Sequence, residues 1–324
     1  MKDRNSFRGT SIDKDFADSF KGSRFYKDIY DKHKDEVIIG VRDGFINLYL
    51  NCDSIAKIDV SNPKECEIDP YYTNDNKRKL TEDEIVQYYD IIKENSNKRN
   101  KQEKQAQQKL YIDNNINPSS NWFCIDVEYT KSLAGKDKPE DWRFDIIAIS
   151  KLPPFRVALI ELKYGSGALK EPSGIRTHVK DFYSFYKFKK FDILKPEIVS
   201  IIQKLDSLGV NIPDSLKNIS CEDIASEPDF YFITLNNNPK PGTDNTPKNT
   251  MGGYLFANKE KWNSKRVSSL IKKKIEENGG EYYDLIEHSK TFKPVFLFST
   301  AQLPDLQIHD ILDKSYYEVE VIDV

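Results

Sequence analysis

In the stretch RVALIELKYGSG, Arg156 to Gly167, Glu161 and Lys163 stand two residues apart inside an otherwise apolar run. Side chains alternate faces along a strand. Both charges therefore point the same way, while Leu162 points opposite, with Ile160, toward an apolar layer. Upstream, Asp145 precedes the run Ile146 to Ile149, and Glu128 ends a similar run. If the three segments pair as a meander, Glu128, Asp145 and Glu161 converge on one region of a sheet, with Lys163 beside them. Crowded carboxylates repel, and their ionised forms are costly unless a cation holds them. Hard oxygen ligands of this kind suit Mg²⁺ or Mn²⁺ with several waters retained. The chemistry open to such a group is that of a bound divalent cation. For Glu161 and Lys163 alone, a cross-strand salt bridge on a solvated face is the alternative. The apolar flanks of Asp145 and Glu161 favour a site, because an unpaired carboxylate there costs several kcal/mol.

The elements that must position these residues can be read from period and punctuation. NWFCIDVEYT, RFDIIAIS and FRVALIELKYG are short runs rich in β-branched and aromatic residues, and they read as three consecutive strands. Ahead of them, residues 81–112 begin with a capping box, Thr81 and Glu84, and continue with Ile85, Tyr88 or Tyr89, and Ile92 at helical spacing. This predicts a long helix, interrupted near Asn95 to Asn97. After the strands, Ser173 could cap a helix with Ile175, Val179, Phe182 and Tyr186 on its apolar face. A helical insertion follows around 195–207. DFYFITL and PVFLFST read as further strands, separated by the polar loop NNNPKPGTDNTPKNTMGG and the helix KRVSSLIKKKIEEN. Near the start, EVIIGVRDGFINLYLNCDSIAKIDV reads as three short strands turned at Asp43-Gly44 and at Asn51-Cys52-Asp53. Residues 1 to about 20 are polar and expected to fray.

Asp145 followed by Glu161-Leu162-Lys163 resembles the signature of the PD-(D/E)XK nuclease superfamily, over roughly residues 80–235. The resemblance implies an α/β fold: a restriction-endonuclease-like core with a central mixed β-sheet flanked by helices. A small N-terminal β-rich region over residues 1–78 would precede a nuclease-like domain over 79–324. The implied activity is Mg²⁺-dependent phosphodiester hydrolysis of nucleic acid, DNA in preference to RNA. Asp145, Glu161 and the Leu162 carbonyl would hold the metal, and Lys163 would position the attacking water. A further acid would come from upstream, with Glu128 the first candidate and Glu103 the second. The alternative is a non-catalytic nucleic-acid or protein binding module that retains the fold.

The surroundings offer a polyanion partial support. Residues 161–190 carry an excess of four positive charges. On the helix after the strands, Arg176, Lys180, Tyr183 and Lys187 share one face, with His178 one turn away, so this face could take a phosphate backbone. A solvated surface helix is the plainer reading. The same holds for Lys98, Arg99, Lys101, Lys104 and Lys109. Globally the 324 residues carry a formal charge of -3, so any polyanion binding must rest on local patches. Four dispersed cysteines suggest reduced thiols, and no apolar run approaches the ~20 residues needed to span a bilayer. A cytoplasmic protein without membrane contact is expected. Its N-terminal region would recognise substrate or mediate self-association into a homodimer.

Overall fold

Two turns cut the segment after Glu36 into strands where the glycine, asparagine and aspartate signals place them. Gly44 has φ 82° between β1 (Ile38–Val41) and β2 (Phe45–Leu50). Asn51 and Cys52, at φ 54° and 53°, form the two-residue left-handed turn into β3 (Asp53–Asp59). Two shorter strands, β4 (Glu65–Glu67) and β5 (Lys79–Thr81), extend the antiparallel meander in the order β1-β2-β3-β4-β5. Neither was expected, since three residues are too few to show an alternating pattern.

The computed structural model describes residues 7–99, 101–132, 141–165, 175–236 and 292–321. The chain divides into two compact units, one of residues 1–157, 192–226 and 308–311, the other of 158–191, 227–307 and 312–324. These units cut the chain at different points from the sequence-order boundary at 78/79. The protein is mixed α/β.

The first unit holds the meander and the long helical region. The expected fraying of the first 20 residues is corrected from Phe7 onward. Helix α1 (Lys14–Gly22) is capped by Asp13, which accepts from the Phe16 N–H at 2.8 Å. The reason is a stripe hidden in a polar segment: Ile12, Phe16 and Phe20 recur every four residues, and all three are buried. The capping box forms as expected at the start of α2 (Glu82–Lys98), with Ile85, Tyr89 and Ile92 inward. The interruption falls beyond Lys98, before α3 (Gln102–Ile116), and not at Asn95 to Asn97. Asn95 and Ser96 stay helical because their side chains have tertiary partners: Asn95 donates to Tyr72 O at 3.1 Å, and Ser96 to Leu50 O at 3.2 Å. They do not compete for the helix backbone. Strands β6 (Trp122–Ser132) and β7 (Asp141–Ser150) pair antiparallel, and α3 lies against β6. Trp122 and Trp142 are buried as core packing.

The second unit holds a mixed sheet. Strands β8 (Val157–Tyr164), β9 (Asp229–Leu235), β10 (Val295–Phe298) and β11 (Glu318–Val321) run in the order β11-β10-β9-β8. The β8–β9 and β9–β10 pairs are parallel and the β10–β11 pair is antiparallel. All eight residues of β8 are buried, as parallel strands covered on both faces require. Gly165, at φ 73°, ends β8, and its N–H donates to Leu235 O at 3.0 Å. Helix α4 (Ile175–Lys187) follows; α5 (Phe191–Ser207), which from residue 192 onward belongs to the first unit, begins four residues before the expected insertion. The cap at Ser173, most of the loop after Asn236 and the helix KRVSSLIKKKIEEN lie outside the described residues.

Candidate active site

Glu161 and Lys163 share one face of β8, as the alternation demands, and their charges meet: Lys163 Nζ lies 2.6 Å from Glu161 Oε1. Glu161 is 2% exposed and Lys163 6%, so this is no surface salt bridge. Leu162, fully buried, faces the opposite layer. In the parallel register Glu161 is level with Phe232, Leu159 with Phe230 and Lys163 with Thr234. Phe182 of α4 packs on Phe232 and Phe230, at ring-centroid distances of 5.0 and 5.5 Å. Helix α4 therefore covers the face that carries Glu161. One turn earlier on the same helix, His178 Nε2 lies 3.0 Å from Glu161 Oε1. The histidine that sequence reasoning placed near a phosphate is thus a partner of the carboxylate itself.

One member of the face expected to be basic on α4 is turned into the core. Tyr183, its intended aromatic, is buried and packs edge-on to Phe292 at 5.4 Å. Phe185 is buried too, so α4 presents a wider apolar arc than four residues at regular spacing suggest. Lys187 closes the helix and is half-buried. The side chains of Arg176 and Lys180 lie outside the described residues.

In the first unit, Asp145 sits half-buried on β7 and Glu128 on β6. Val127 pairs with Ile146 and Tyr129 with Phe144, which leaves Glu128 opposite Asp145. Glu128 interrupts the ladder with φ 51°, a left-handed conformation uncommon for a residue other than glycine, asparagine or aspartate. Its Oε2 lies 3.4 Å from Lys104 Nζ on α3. Burial pushes the Cys52 thiol well above its ordinary range; Glu128 and Asp145 add to the push and Lys104 opposes it. Both carboxylates and the lysine therefore act on one buried sulfur. Glu103, the second candidate for the further acid, lies in the first turn of α3.

Sequence reasoning passed over Asp126, two residues before Glu128. It is 1% exposed and binds two buried arginines: Arg8 Nη1 at 2.8 Å and Arg42 Nη1 at 2.7 Å. Arg8 Nε also lies 3.4 Å from Glu197 of α5, which accepts from Tyr129 Oη at 2.8 Å, and the Arg8 guanidinium stacks over the Tyr129 ring. Arg42 donates to Val127 O at 2.7 Å and to Tyr49 Oη at 3.2 Å. Burial works against the Arg42 charge, but Asp126 and Tyr49 outweigh it, and the net shift is upward. The available signal was an aspartate inside an apolar run, the same signal that singled out Asp145. Nothing in the sequence indicated that arginines 118 and 84 residues earlier would neutralise it.

The second basic stretch is also largely occupied. Lys98 pairs with Glu94, Arg99 and Lys101 with Asp53, and Lys109 with Asp113. Among the described residues, no group of three or more His, Cys, Asp or Glu is gathered closely enough to hold a metal ion, and no helix is long and apolar enough to cross a membrane. Comparison with protein-family models, with curated proteins and with solved structures finds no match to this chain.

Proposed function

We propose that the chain is a metal-dependent nuclease of the PD-(D/E)XK type with a restriction-endonuclease-like core, hydrolysing phosphodiester bonds of nucleic acid, with DNA the first candidate substrate. The observation that carries this reading is the Glu161 and Lys163 pair, two charges 2.6 Å apart on a strand whose every residue is buried. Desolvating such a pair offsets much or all of its Coulombic attraction, so stability alone is a poor reason to keep it.

In this proposal the carboxylates of Asp145 and Glu161 and the Leu162 carbonyl would supply a set of hard oxygens. Mg²⁺ and Mn²⁺ suit such a set, since Mg²⁺ commonly takes one or two carboxylates and retains its waters. Such a site needs no third acidic, imidazole or thiol ligand. A bound ion would supply Lewis acidity and a water of lowered pKa. Lys163 would then orient the attacking water and offset the carboxylates, and His178 would hold Glu161 from the α4 side. Glu128 would serve as the further acid, and Arg176, Lys180 and Lys187 would contact the phosphate backbone. A second reading, a non-catalytic module that binds nucleic acid or a protein, is favoured by one observation. Glu161 Oε1 already has two nitrogen partners and is satisfied without a metal.

Incubation with linear, circular and single-stranded DNA and with RNA, in Mg²⁺ or Mn²⁺, separates the two. Cleavage by the native protein that disappears in folded Glu161→Ala and Lys163→Ala supports the nuclease. Binding without cleavage in either metal, unaffected by Glu161→Ala, sinks it and favours the module. Millimolar Mn²⁺ should also raise the melting temperature of the native protein, because a ligand held only by the folded state stabilises it.

A further inference from the structure

Lys104 stands apart from the other cations of α2 and α3. Lys98 and Lys109 pair with acids on their own helices, and Arg99 and Lys101 with the buried Asp53. Lys104 alone among them reaches an acid of the proposed site, Glu128 at 3.4 Å, and the same ammonium lies 3.4 Å from the Cys52 carbonyl oxygen. Both residues it touches are in the left-handed region, Glu128 at φ 51° and Cys52 at φ 53°. Neither residue type favours that conformation, and strain of this kind persists only where the surroundings over-determine it. One lysine thus contacts two strained points on separate elements, the β2–β3 turn and β6. In the β6–β7 register Glu128 falls between Val127 and Tyr129, whose partners Ile146 and Phe144 flank Asp145.

We infer that Lys104 is the resident counter-cation of Glu128, holding that carboxylate against the β2–β3 turn until a divalent ion enters beside Asp145 and takes over its neutralisation. This rests on the metal-dependent reading and adds to it a competition between a lysine and the metal for one carboxylate. Lys104 is a positioning residue, since it acts through Glu128.

The test is Mn²⁺ binding by calorimetry at pH 7.5, with no nucleic acid present, for the native protein, Lys104→Gln, Lys104→Arg and Glu161→Gln. Removing one positive charge a few Å from a divalent ion strengthens metal binding, and even at the dielectric of bulk water the gain is about ten-fold or more. Lys104→Gln should therefore bind Mn²⁺ that much more tightly, Lys104→Arg should match the native protein, and metal-free Lys104→Gln should melt at a lower temperature that Mn²⁺ restores. Unchanged or weaker Mn²⁺ binding by a folded Lys104→Gln overturns the inference. If binding is lost in Glu161→Gln while Lys104→Gln equals the native protein, the metal site stands and only the role of Lys104 falls. No Mn²⁺ binding by either the native protein or Lys104→Gln overturns both.

Discussion

Cys52, Cys66 and Cys124 are buried thiols, and burial pushes all three above their ordinary range, Cys66 to about 12. A neutral thiol suits an apolar interior, whereas a thiolate would be unsolvated there. The consequence for stability has a definite sign. The unfolded chain releases the Cys66 proton near pH ~8.5, while the folded protein keeps it up to about 12. The contribution is therefore complete below the unfolded value and is lost progressively as pH rises between the two. The urea midpoint should fall between pH 8 and pH 10, and fall less in Cys66→Ala; parallel curves for the two proteins would rule out this assignment. Cys221, only half-buried, should be the first thiol alkylated in the native state.

Among elements, the cluster around Asp126 ties together segments of the first unit that lie far apart in sequence. One carboxylate on β6 joins Arg8 from the N-terminal segment to Arg42 at the end of β1, and Arg8 reaches on to Glu197 of α5. Every charge in it is at least nine-tenths buried, and each has a partner. Asp126→Ala would leave two buried guanidinium groups short of their shared carboxylate, a change that costs about 3–5 kcal/mol when a buried pair is broken. Equilibrium urea unfolding should show a loss of that size. A loss under ~1 kcal/mol would mean that solvent or Glu197 replaces Asp126. The same cluster anchors the segment from Phe7 to Phe20: the Ser200 hydroxyl donates to Arg8 O at 2.7 Å, and Ile12, Phe16 and Phe20 are buried.

At the scale of the whole molecule, the first unit is discontinuous in sequence, drawing on 1–157, 192–226 and 308–311. Its distant segments carry specific bonds. Asp310 accepts from the Asn121 backbone N–H at 3.0 Å and from its side-chain amide at 2.8 Å, and the Ile311 N–H donates to Asn114 Oδ1 at 3.1 Å. A chain ended at residue 157 would lack Glu197 and Asp310 and would leave Arg8, Tyr129 and Asn121 without these partners. Such a chain should give a broad, weakly cooperative melt by near-ultraviolet circular dichroism. A sharp transition equal to that of the full chain would show that the remote segments are dispensable. Contacts this far apart in sequence also predict slow folding, because loop closure must precede the contacts that reward it.

Local chemistry determined much of this protein in advance. The turns at Gly44 and Asn51-Cys52, the capping box at Thr81, the strands through Trp122, Phe144 and Leu159, and the common face of Glu161 and Lys163 all follow from period, propensity and turn geometry, which act over a few residues. Short strands such as β4, β5 and β11 escaped notice because three or four residues carry too little pattern. What only the tertiary structure decided is which charges meet. Lys163 and His178 both address Glu161, Lys104 addresses Glu128, and Asp126, as plausible an acid as Glu128 on sequence grounds, is consumed by two arginines. The physical reason is that a carboxylate's role depends on what surrounds it within a few Å, and those neighbours come from segments far away in the chain.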